Sequence, residues 1–192
     1  MALVLETPRI ALRRFTIADV DLLVALDSDP EVIRFLRRTP TPRASIENDI
    51  LPRWIAEYKR TPGFGTWAAH DRQGGDFLGW FSLRPDATDP STAELGYRLQ
   101  RSAWGRGLAT EGGRALIDRA FKDLGMERVR AQTMAVNLRS RRVMEKLGMR
   151  HVRTFYEQFD DPLPGTEEGE VEYAITRAEW RAGHAEGVVC EG

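Results

Sequence analysis

The sequence of 192 residues predicts a single α/β domain built around a mixed sheet. Two strand-like runs flank the segment 71–75, DRQGG, which is typical of a hairpin turn. A strand–helix–strand unit follows from 94 to 136, and such a unit gives a parallel pair with a right-handed crossover. With a second pair of strand-like runs near the C-terminus, these signals predict about seven strands, mostly antiparallel, flanked by helices.

The first half of the chain alternates short strands and helices. Residues 9–15 alternate apolar and polar side chains, as a half-buried strand does. Thr16 and Asp19 have the spacing of a capping box, so a helix is expected from there to about Leu26. The dipeptide Asp29-Pro30 is typical of a second helix start. The other elements expected in this half are a helix over 45–59 and strands over 65–70 and 77–83.

The second half begins with a strand over 94–99 and continues with a helix over 108–124, whose apolar residues recur at helical spacing. A strand over 128–136 leads to Asn137, which fits an N-cap for a helix over 138–147. The last expected elements are strands over 151–159 and 170–176, the acidic loop 160–169 between them, and a short polar tail from about 182.

Composition and charge exclude several classes of protein. A net charge of −1 gives no basic field for nucleic acid or for an anionic membrane, so neither is expected as a partner. The lone Cys190 cannot form an intramolecular disulfide, and three scattered histidines lack the spacing of metal ligands, so no metal is expected. The N-terminus becomes charged too soon for a signal peptide, and no apolar run approaches the ~20 residues of a membrane span. A cytoplasmic protein is therefore expected.

The most informative segment is 104–113, WGRGLATEGG, which joins a strand to the following helix. Gly105 and Gly107 flank Arg106 at the joint, and backbone N–H groups at a helix N-terminus form an anion site. The segment is not a Walker loop, because no Gly-Lys-Ser/Thr follows. It is a poor dinucleotide fingerprint, because Thr110 stands where a third small residue would pack. Alone, it allows either a phosphate site or a tight loop that merely requires glycine.

Two further motifs give the joint a context. Glu94-Leu-Gly-Tyr97 precedes it, and NLRSRRVMEKLGM over 137–149 follows it. With these motifs in this order, the chain resembles the GNAT superfamily of acyl-CoA N-acyltransferases. Within it, the chain looks most like the RimJ/RimL-like branch of ribosomal-protein N-terminal acetyltransferases. The opening TPRIALR over 7–13 and the closing YAITRAEW over 173–180 also look like this branch, with departures at Arg101, Ser102 and Gly112-Gly113.

The resemblance implies the GNAT fold, in which the strands over 94–99 and 129–136 splay apart and the pantetheine arm of acyl-CoA enters between them. A bulge near Gly96 is expected to open the gap. The implied cofactor contacts are the backbone near Leu99, Trp104, the loop and helix start formed by Gly105, Arg106, Gly107, Leu108, Ala109 and Thr110, then Asn137 and Arg142.

Several of these residues have a second interpretation. Asn137 also fits a helix cap, Trp104 fits core packing, and Arg106 fits a solvated loop side chain. Arg142 is one of four basic side chains between 139 and 146, which either meet the 3′-phosphate of CoA or form a solvated face.

Catalytic roles are also implied by the resemblance. Glu94 is expected to act as the base that takes the proton of the acceptor amine, directly or through water, for which partial burial must raise its pKa. Ser140 is expected near the sulfur as the acid that protonates the leaving thiolate, or as a bridge to it through water. The alternatives are a surface glutamate on an alternating strand and an exposed third residue of a helix.

The implied activity is acetyl-CoA-dependent N-acetylation of a primary amine, on a protein N-terminus or a small molecule, by direct attack in a ternary complex. The alternatives are a longer acyl donor such as succinyl-CoA, or a non-catalytic domain that binds or senses acyl-CoA. Six acidic residues from Asp160 to Glu172 either rim the acceptor site, which would favour a cationic acceptor, or form a solvated loop. The family also admits a homodimer.

Overall fold

In the computed structural model, which describes residues 3–187, eight strands form one sheet in the order β1-β2-β3-β4-β5-β6-β8-β7. The strands are β1 Leu3–Glu6, β2 Ile10–Arg14, β3 Gly65–Asp71, β4 Phe77–Pro85, β5 Thr92–Leu99, β6 Arg128–Met134, β7 Arg150–Phe155 and β8 Glu170–Thr176. Only the pair β5–β6 is parallel, which confirms the mixed, mostly antiparallel sheet. The eighth strand, β1, is absent from the prediction because its sequence, LVLE, begins with three apolar residues in a row and so does not alternate.

Helices cover both faces of this sheet. They are α1 Val20–Asp27, α2 Pro30–Ile33, α3 Arg43–Ser45, α4 Leu51–Arg60, α5 Leu108–Lys122, α6 Leu138–Lys146 and α7 Arg177–Gly187. The helix predicted over 45–59 is present, with a π-helical turn, Ile46–Ile50, joining α3 to α4. The last helix, α7, extends into the segment expected as a polar tail, and Cys190 lies outside the described residues. None of the helices within residues 3–187 has the length together with the apolar character that a bilayer crossing requires.

The predicted capping box fixes the entry into the first helical segment. The Asp19 carboxylate accepts a hydrogen bond from the Thr16 N–H at 2.7 Å. Arg13, near the end of β2, donates to both Asp19 oxygens at 2.8 and 2.7 Å. Burial raises the pKa of Asp19, but these hydrogen bonds outweigh it and hold that pKa below its ordinary value. The contacts tie α1 to β2 and so hold the N-terminal helices against the sheet.

Strand alternation places apolar layers on opposite faces of the sheet. On one face, Leu23 of α1 and Leu51 of α4 pack with Phe15 and Ala68. This side is called the α1–α4 face below. On the other face, Leu116 and Phe121 of α5 belong to the main core with Leu95 and Val129. This side is called the α5–α6 face.

Two strands end earlier than the sequence predicts, and for the same reason. β6 stops at Met134 rather than 136, and β7 stops at Phe155 rather than 159. Both Met134 and Phe155 pair with Glu170, the first residue of β8. Beyond Glu170 a single backbone hydrogen bond remains on the β6 side, from the Ala135 N–H to the Gly169 carbonyl at 2.8 Å. The ladders end there, and Glu170 stands at the open edge of the sheet.

Gly112 departs from the family motif because of packing. A Cβ atom there would lie 2.4 Å from the Phe81 ring, which is fully buried on β4. The glycine lets α5 approach the sheet closely at the point where the helix leaves the glycine-rich joint.

We expect Gly112→Ala to lower the free energy of unfolding by about 1–3 kcal/mol, because overpacking a rigid ring outweighs the gain of ~1 kcal/mol in helix propensity. Gly183→Ala in α7 is the matched control, because no atom lies within 4 Å of its Cβ position. That variant should be unchanged or more stable. Urea unfolding compares the two, and equal stabilisation of both variants would contradict the packing argument.

Candidate active site

Strands β5 and β6 are neighbours only where they begin. Their parallel ladder contains three residue pairs, Thr92–Arg128, Ala93–Val129 and Glu94–Arg130. Beyond Glu94, β5 stays paired with β4 up to Leu99, and β6 stays paired with β8 up to Met134. The two strands therefore diverge, as the family resemblance implies. They leave a gap whose edges carry backbone groups without a strand partner on that side.

The bulge expected near Gly96 is wrong. The register between β4 and β5 is unbroken from Ala93 to Leu99. Gly96 instead permits a close approach, since a Cβ atom there would lie 2.6 Å from the Ser82 hydroxyl oxygen on β4. The gap thus arises from lost pairing between β5 and β6.

A cavity of about 1660 Å³ passes through this gap and is lined from both faces of the sheet. Tyr97 and Ser140 line it on the α5–α6 face, and Trp54 and Trp80 line it on the α1–α4 face. Small-molecule sites commonly measure about 300–1,000 Å³. This cavity therefore has room for an extended cofactor and a second substrate together.

The glycine-rich joint lies at the carboxyl end of β5 and lines one end of the cavity. Gly105 and Gly107 have φ angles of 71° and 77°, the left-handed region that favours glycine. The first intrahelical donor of α5 is the Glu111 N–H, which bonds the Gly107 carbonyl at 3.0 Å. The N–H groups of residues 105–110 have no acceptor within the described chain. They form the unpaired, electropositive helix start that an anion requires.

A cluster of contacts from the N-terminus holds this joint in place. The Arg9 guanidinium pairs with Glu111 at 2.6 Å and donates to the Arg106 carbonyl at 2.9 Å. The Thr7 hydroxyl and the Arg9 N–H both donate to the same Glu111 oxygen, at 2.6 and 2.9 Å. Burial raises the pKa of Glu111, but the hydrogen bonds from Thr7 and Arg9 bring it below its ordinary value. Glu111 therefore stays ionised near neutral pH and anchors the joint to the start of β2.

The side chains expected around the cofactor loop have protein partners. The Trp104 indole donates to the Leu99 carbonyl at 2.8 Å, and its ring packs against the main core. The Leu99 carbonyl is thus already engaged at the end of β5. Arg106 lies 3.7 Å from Asp71, so its side chain points along the surface towards β3. Packing and pairing account for both side chains, and the loop presents its backbone.

The helix that follows β6 carries a linked pair of hydroxyl groups. Asn137 caps α6 through the Ser140 N–H at 3.3 Å and donates to the Thr133 hydroxyl at 3.0 Å, which confirms its capping role. The Ser140 hydroxyl lies 2.9 Å from the Tyr97 hydroxyl of β5. Burial raises the pKa of Tyr97 to about 12, so the phenol stays protonated near neutral pH. Tyr97 can thus hold Ser140 in place across the gap and keep a proton available beside it.

The basic residues of α6 divide into engaged and free side chains. Arg139 lies over the Trp104 ring at 5.0 Å, and Arg141 donates to the Ala135 carbonyl at 3.0 Å. The Arg142 side chain lines the cavity and makes no hydrogen bond or ion pair within residues 3–187. Of these three arginines, Arg142 is the one left for a ligand.

Glu94 occupies the point where the ladder between β5 and β6 ends. Its two oxygens accept hydrogen bonds from Arg84 at 2.9 Å and from Arg130 at 2.8 Å. Arg130 also donates to Asp86 at 2.7 Å. Glu94 lines the cavity, as the resemblance implies, but both of its oxygens are held in this ion-pair network.

The α1–α4 face supplies aromatic and charged walls. Trp54 and Trp80 meet edge to face with ring centroids 5.8 Å apart. Arg98 lies over Trp80 and pairs with the buried Asp27 of α1. Burial lowers the pKa of Arg98 below its ordinary value, with Asp27 opposing that shift.

The acidic loop 160–169 and the start of β8 reach the same wall. Asp161 pairs with Arg38 at 2.8 Å, and Glu170 lines the cavity beyond it. Glu172 turns away into a buried network with Arg128 and Arg153. The segment is thus a rim of the cavity rather than a uniformly solvated loop. Within residues 3–187, no group of three or more acidic, histidine or cysteine side chains is arranged to hold a metal ion.

Four residues of this site are not singled out by sequence reasoning. Arg9, Tyr97 and Glu111 lie inside the motifs that carry the family resemblance, and this position is the one feature of the sequence that could have indicated their role. Glu170 lies outside these motifs, and nothing in the sequence distinguishes it from the other acidic residues near it.

A parallel pair that splays inside an otherwise antiparallel sheet, with a glycine-rich helix start at its open end, defines the class of acyl-CoA-dependent acyltransferases. The chain belongs to the GNAT acetyltransferases, because the family model for the acetyltransferase (GNAT) domain matches residues 9–150. It is accordingly an enzyme of the N-acetyltransferase class.

Individual relatives agree with this assignment. The FsC-acetyl coenzyme A-N(2)-transacetylase of Aspergillus fumigatus is 39% identical over 170 residues, which cover 83% of this chain and 70% of that protein. The putative ribosomal N-acetyltransferase YdaF of Bacillus subtilis is 29% identical over 114 residues, which cover 59% of this chain and 61% of that protein. The solved spermidine N-acetyltransferase from Vibrio cholerae, in complex with CoA and spermine, has a TM-score of 0.73 at 14% identity, with coverage of 91% and 99%. That likeness shows a shared fold.

The contacts of Arg9 predict a selective defect in cofactor affinity. Arg9→Ala and Glu111→Gln should each weaken CoA binding about three- to tenfold, because charge-assisted hydrogen bonds of a half-exposed arginine hold the loop. Isothermal titration calorimetry measures the change. Arg43→Ala is the control, since this exposed arginine pairs with Asp21 away from the loop. Unchanged affinity in both test variants would contradict a role for Arg9 in positioning the loop.

Proposed function

We propose that this enzyme transfers the acetyl group of acetyl-CoA to a primary amine by direct attack in a ternary complex. The observation that carries the proposal is one continuous cavity. It joins an anion-binding helix start, through the gap between β5 and β6, to the side of the sheet that holds the unpaired Glu170. The cofactor and the amine can therefore meet inside the gap from its two sides.

The residues present fit acetyl-CoA. The N–H groups of 105–110 suit the pyrophosphate, and no atom lies within 4 Å of the Cβ position of Gly105, which leaves space for it. The open strand edges suit the amide groups of the pantetheine arm, which pair as a strand would. Arg142 is the proposed partner of the 3′-phosphate. Bound acetyl-CoA supplies the thioester carbonyl that the amine attacks.

Ser140 and Tyr97 are proposed to serve the leaving group. When the new C–N bond forms and the C–S bond breaks, negative charge collects on sulfur. A proton from Ser140, replenished by the Tyr97 phenol 2.9 Å away, would neutralise it. Both groups lie on the α5–α6 face, so the leaving thiolate and the incoming amine are served from opposite sides of the sheet.

The proposed acceptor is an amine that enters as a cation from the α1–α4 face. Its support is the pair of carboxylates at this end of the cavity that no arginine holds, Glu157 and Glu170, together with aromatic walls that suit the apolar part of such a molecule. The relatives named above are an N(2)-transacetylase, a putative ribosomal N-acetyltransferase and a spermidine N-acetyltransferase. Membership of the RimJ/RimL-like branch would place a protein N-terminus in the same class.

An acceptor panel tests the function. Incubation with acetyl-CoA and peptides, polyamines or aminoglycosides, followed by mass spectrometry, should show at least one product heavier by one acetyl group. Succinyl-CoA in parallel tests the alternative acyl donor. If CoA binds but every amine shows only background hydrolysis, the enzyme acts on none of these classes and the acceptor proposal is wrong. If CoA itself does not bind, the cofactor proposal is wrong.

A double-mutant cycle tests the hydroxyl pair. Ser140→Ala and Tyr97→Phe should each lower kcat about 10-fold or more with little change in the KM for acetyl-CoA, because both lose proton donation to sulfur. The double variant should be no slower than Ser140→Ala alone, since Tyr97 acts through Ser140. Additive effects would contradict the relay.

A further inference from the structure

The cavity carboxylates differ in one respect, which is whether an arginine already holds them. The paired ones are Glu94 with Arg84 and Arg130, Asp27 with Arg98, Asp161 with Arg38, and Glu31 with Arg34. Two others, Glu157 and Glu170, line the same cavity, and neither side chain makes a hydrogen bond or ion pair within residues 3–187. Glu157 is exposed to solvent, which leaves Glu170 as the unpaired carboxylate inside the cavity. It is half-buried, so its charge is neither paired nor fully hydrated.

Strand alternation fixes which side of the gap Glu170 serves. On β8, the Tyr173 hydroxyl contacts Arg141 and Glu145 of α6, so odd-numbered residues face α6. Even-numbered residues therefore face the α1–α4 side. Glu170 also pairs across the sheet with Met134, the last residue of β6, at the open edge of the gap. This position is across the sheet from Ser140 and Tyr97.

The charges around Glu170 leave its carboxylate uncompensated. From the loop before β8, the charged group that faces it is Glu157, which repels it. From β6 its neighbour is the apolar Met134, and from β7 it is Phe155. On β8 itself, Glu172 is two residues away and is held by Arg128, Arg153 and Gln132. Burial first, and then Glu157, raise the pKa of Glu170 above its ordinary value.

We propose that Glu170 accepts the proton of the acceptor ammonium, directly or through one water. Glu94 then has a structural role, which is to hold Arg84 and Arg130 at the end of the ladder. This inference rests on the proposed function. The ammonium gives one proton to Glu170, which passes it to solvent, and the freed lone pair forms the C–N bond as the C–S bond breaks. The nitrogen then gives its second proton to the ionised Glu170, which again passes it to solvent. The CoA sulfur gains a proton from Ser140, which is reprotonated from solvent through Tyr97. One ammonium and one thioester thus give one amide, one thiol and one released proton.

The pH profile of kcat/KM distinguishes the two glutamates. Glu170→Gln should lose about 100-fold or more near neutral pH and should lack the acidic limb, with activity recovering at high pH as the free amine itself deprotonates. Glu94→Gln should keep the acidic limb, even where its rate falls because Arg84 and Arg130 lose their partner. Glu170→Asp should restore part of the activity. A Glu170→Gln enzyme that retains the wild-type acidic limb would overturn the assignment.

A second measurement needs no substrate. An acid whose pKa is raised on folding stabilises the native state fully below its unfolded pKa, and that stability is lost as pH rises through the folded pKa. Glu170→Gln should therefore have a higher urea midpoint than the wild type at pH 8, and the difference should vanish below the ordinary pKa of 4.5. A variant no more stable at pH 8 would mean that Glu170 has a partner and is not poised as a base.

The two measurements also separate this inference from the proposed function. If the wild type acetylates no amine in the panel, the proposed function fails while the stability profile still tests Glu170. If the wild type is active but Glu170→Gln keeps the acidic limb, only the assignment of Glu170 fails.

Discussion

The rest of the structure depends on the length of one parallel ladder. β5 and β6 pair through three residues, while β4–β5 and β6–β8 each pair through seven. The two outer ladders hold each strand straight, so the strands diverge without fraying. The backbone groups that lose their partner at the gap are strong donors and acceptors that require new ones. An amide-bearing chain such as pantetheine could satisfy them as a strand would, and the proposed cofactor site depends on this property of the gap.

Because side chains alternate along a strand, the functional groups of β5 are divided between the two faces of the sheet. On β5, Glu94 and Arg98 face the α1–α4 side, where they meet Arg84 and Asp27, whereas Tyr97 faces α6 and meets Ser140. A one-residue slip of β5 would exchange these sets. Gly96, which lies against Ser82, and Gly112, which lies against Phe81, hold β5 and α5 at the spacing that this arrangement needs.

Local patterns in the sequence are sufficient for most of the fold. The capping box at Thr16, the Asn137 cap and the strand–helix–strand unit depend on residues a few positions apart, and each is confirmed. The site is less predictable because its contacts are long-range: Arg9 and Glu111 are 102 positions apart, and the ends of β6 and β7 depend on where β8 begins. The bulge at Gly96 shows the limit of a single glycine as a signal, since glycine serves close packing as readily as a bulge.

The same logic explains why the motif glutamate is a poor guide to the base. Glu94 forms the last pair of the parallel ladder with Arg130, and Arg130 also binds Asp86 and lies near Glu172. The charged side chains at the end of this ladder therefore neutralise one another at the point where β5 and β6 diverge. A carboxylate that bridges two arginines must give up part of this charge pairing to hold a proton. Glu170 lies at the opposite, open end of the gap, and its carboxylate takes no part in such ion pairing. It is therefore the proposed acceptor of the proton from a cationic substrate.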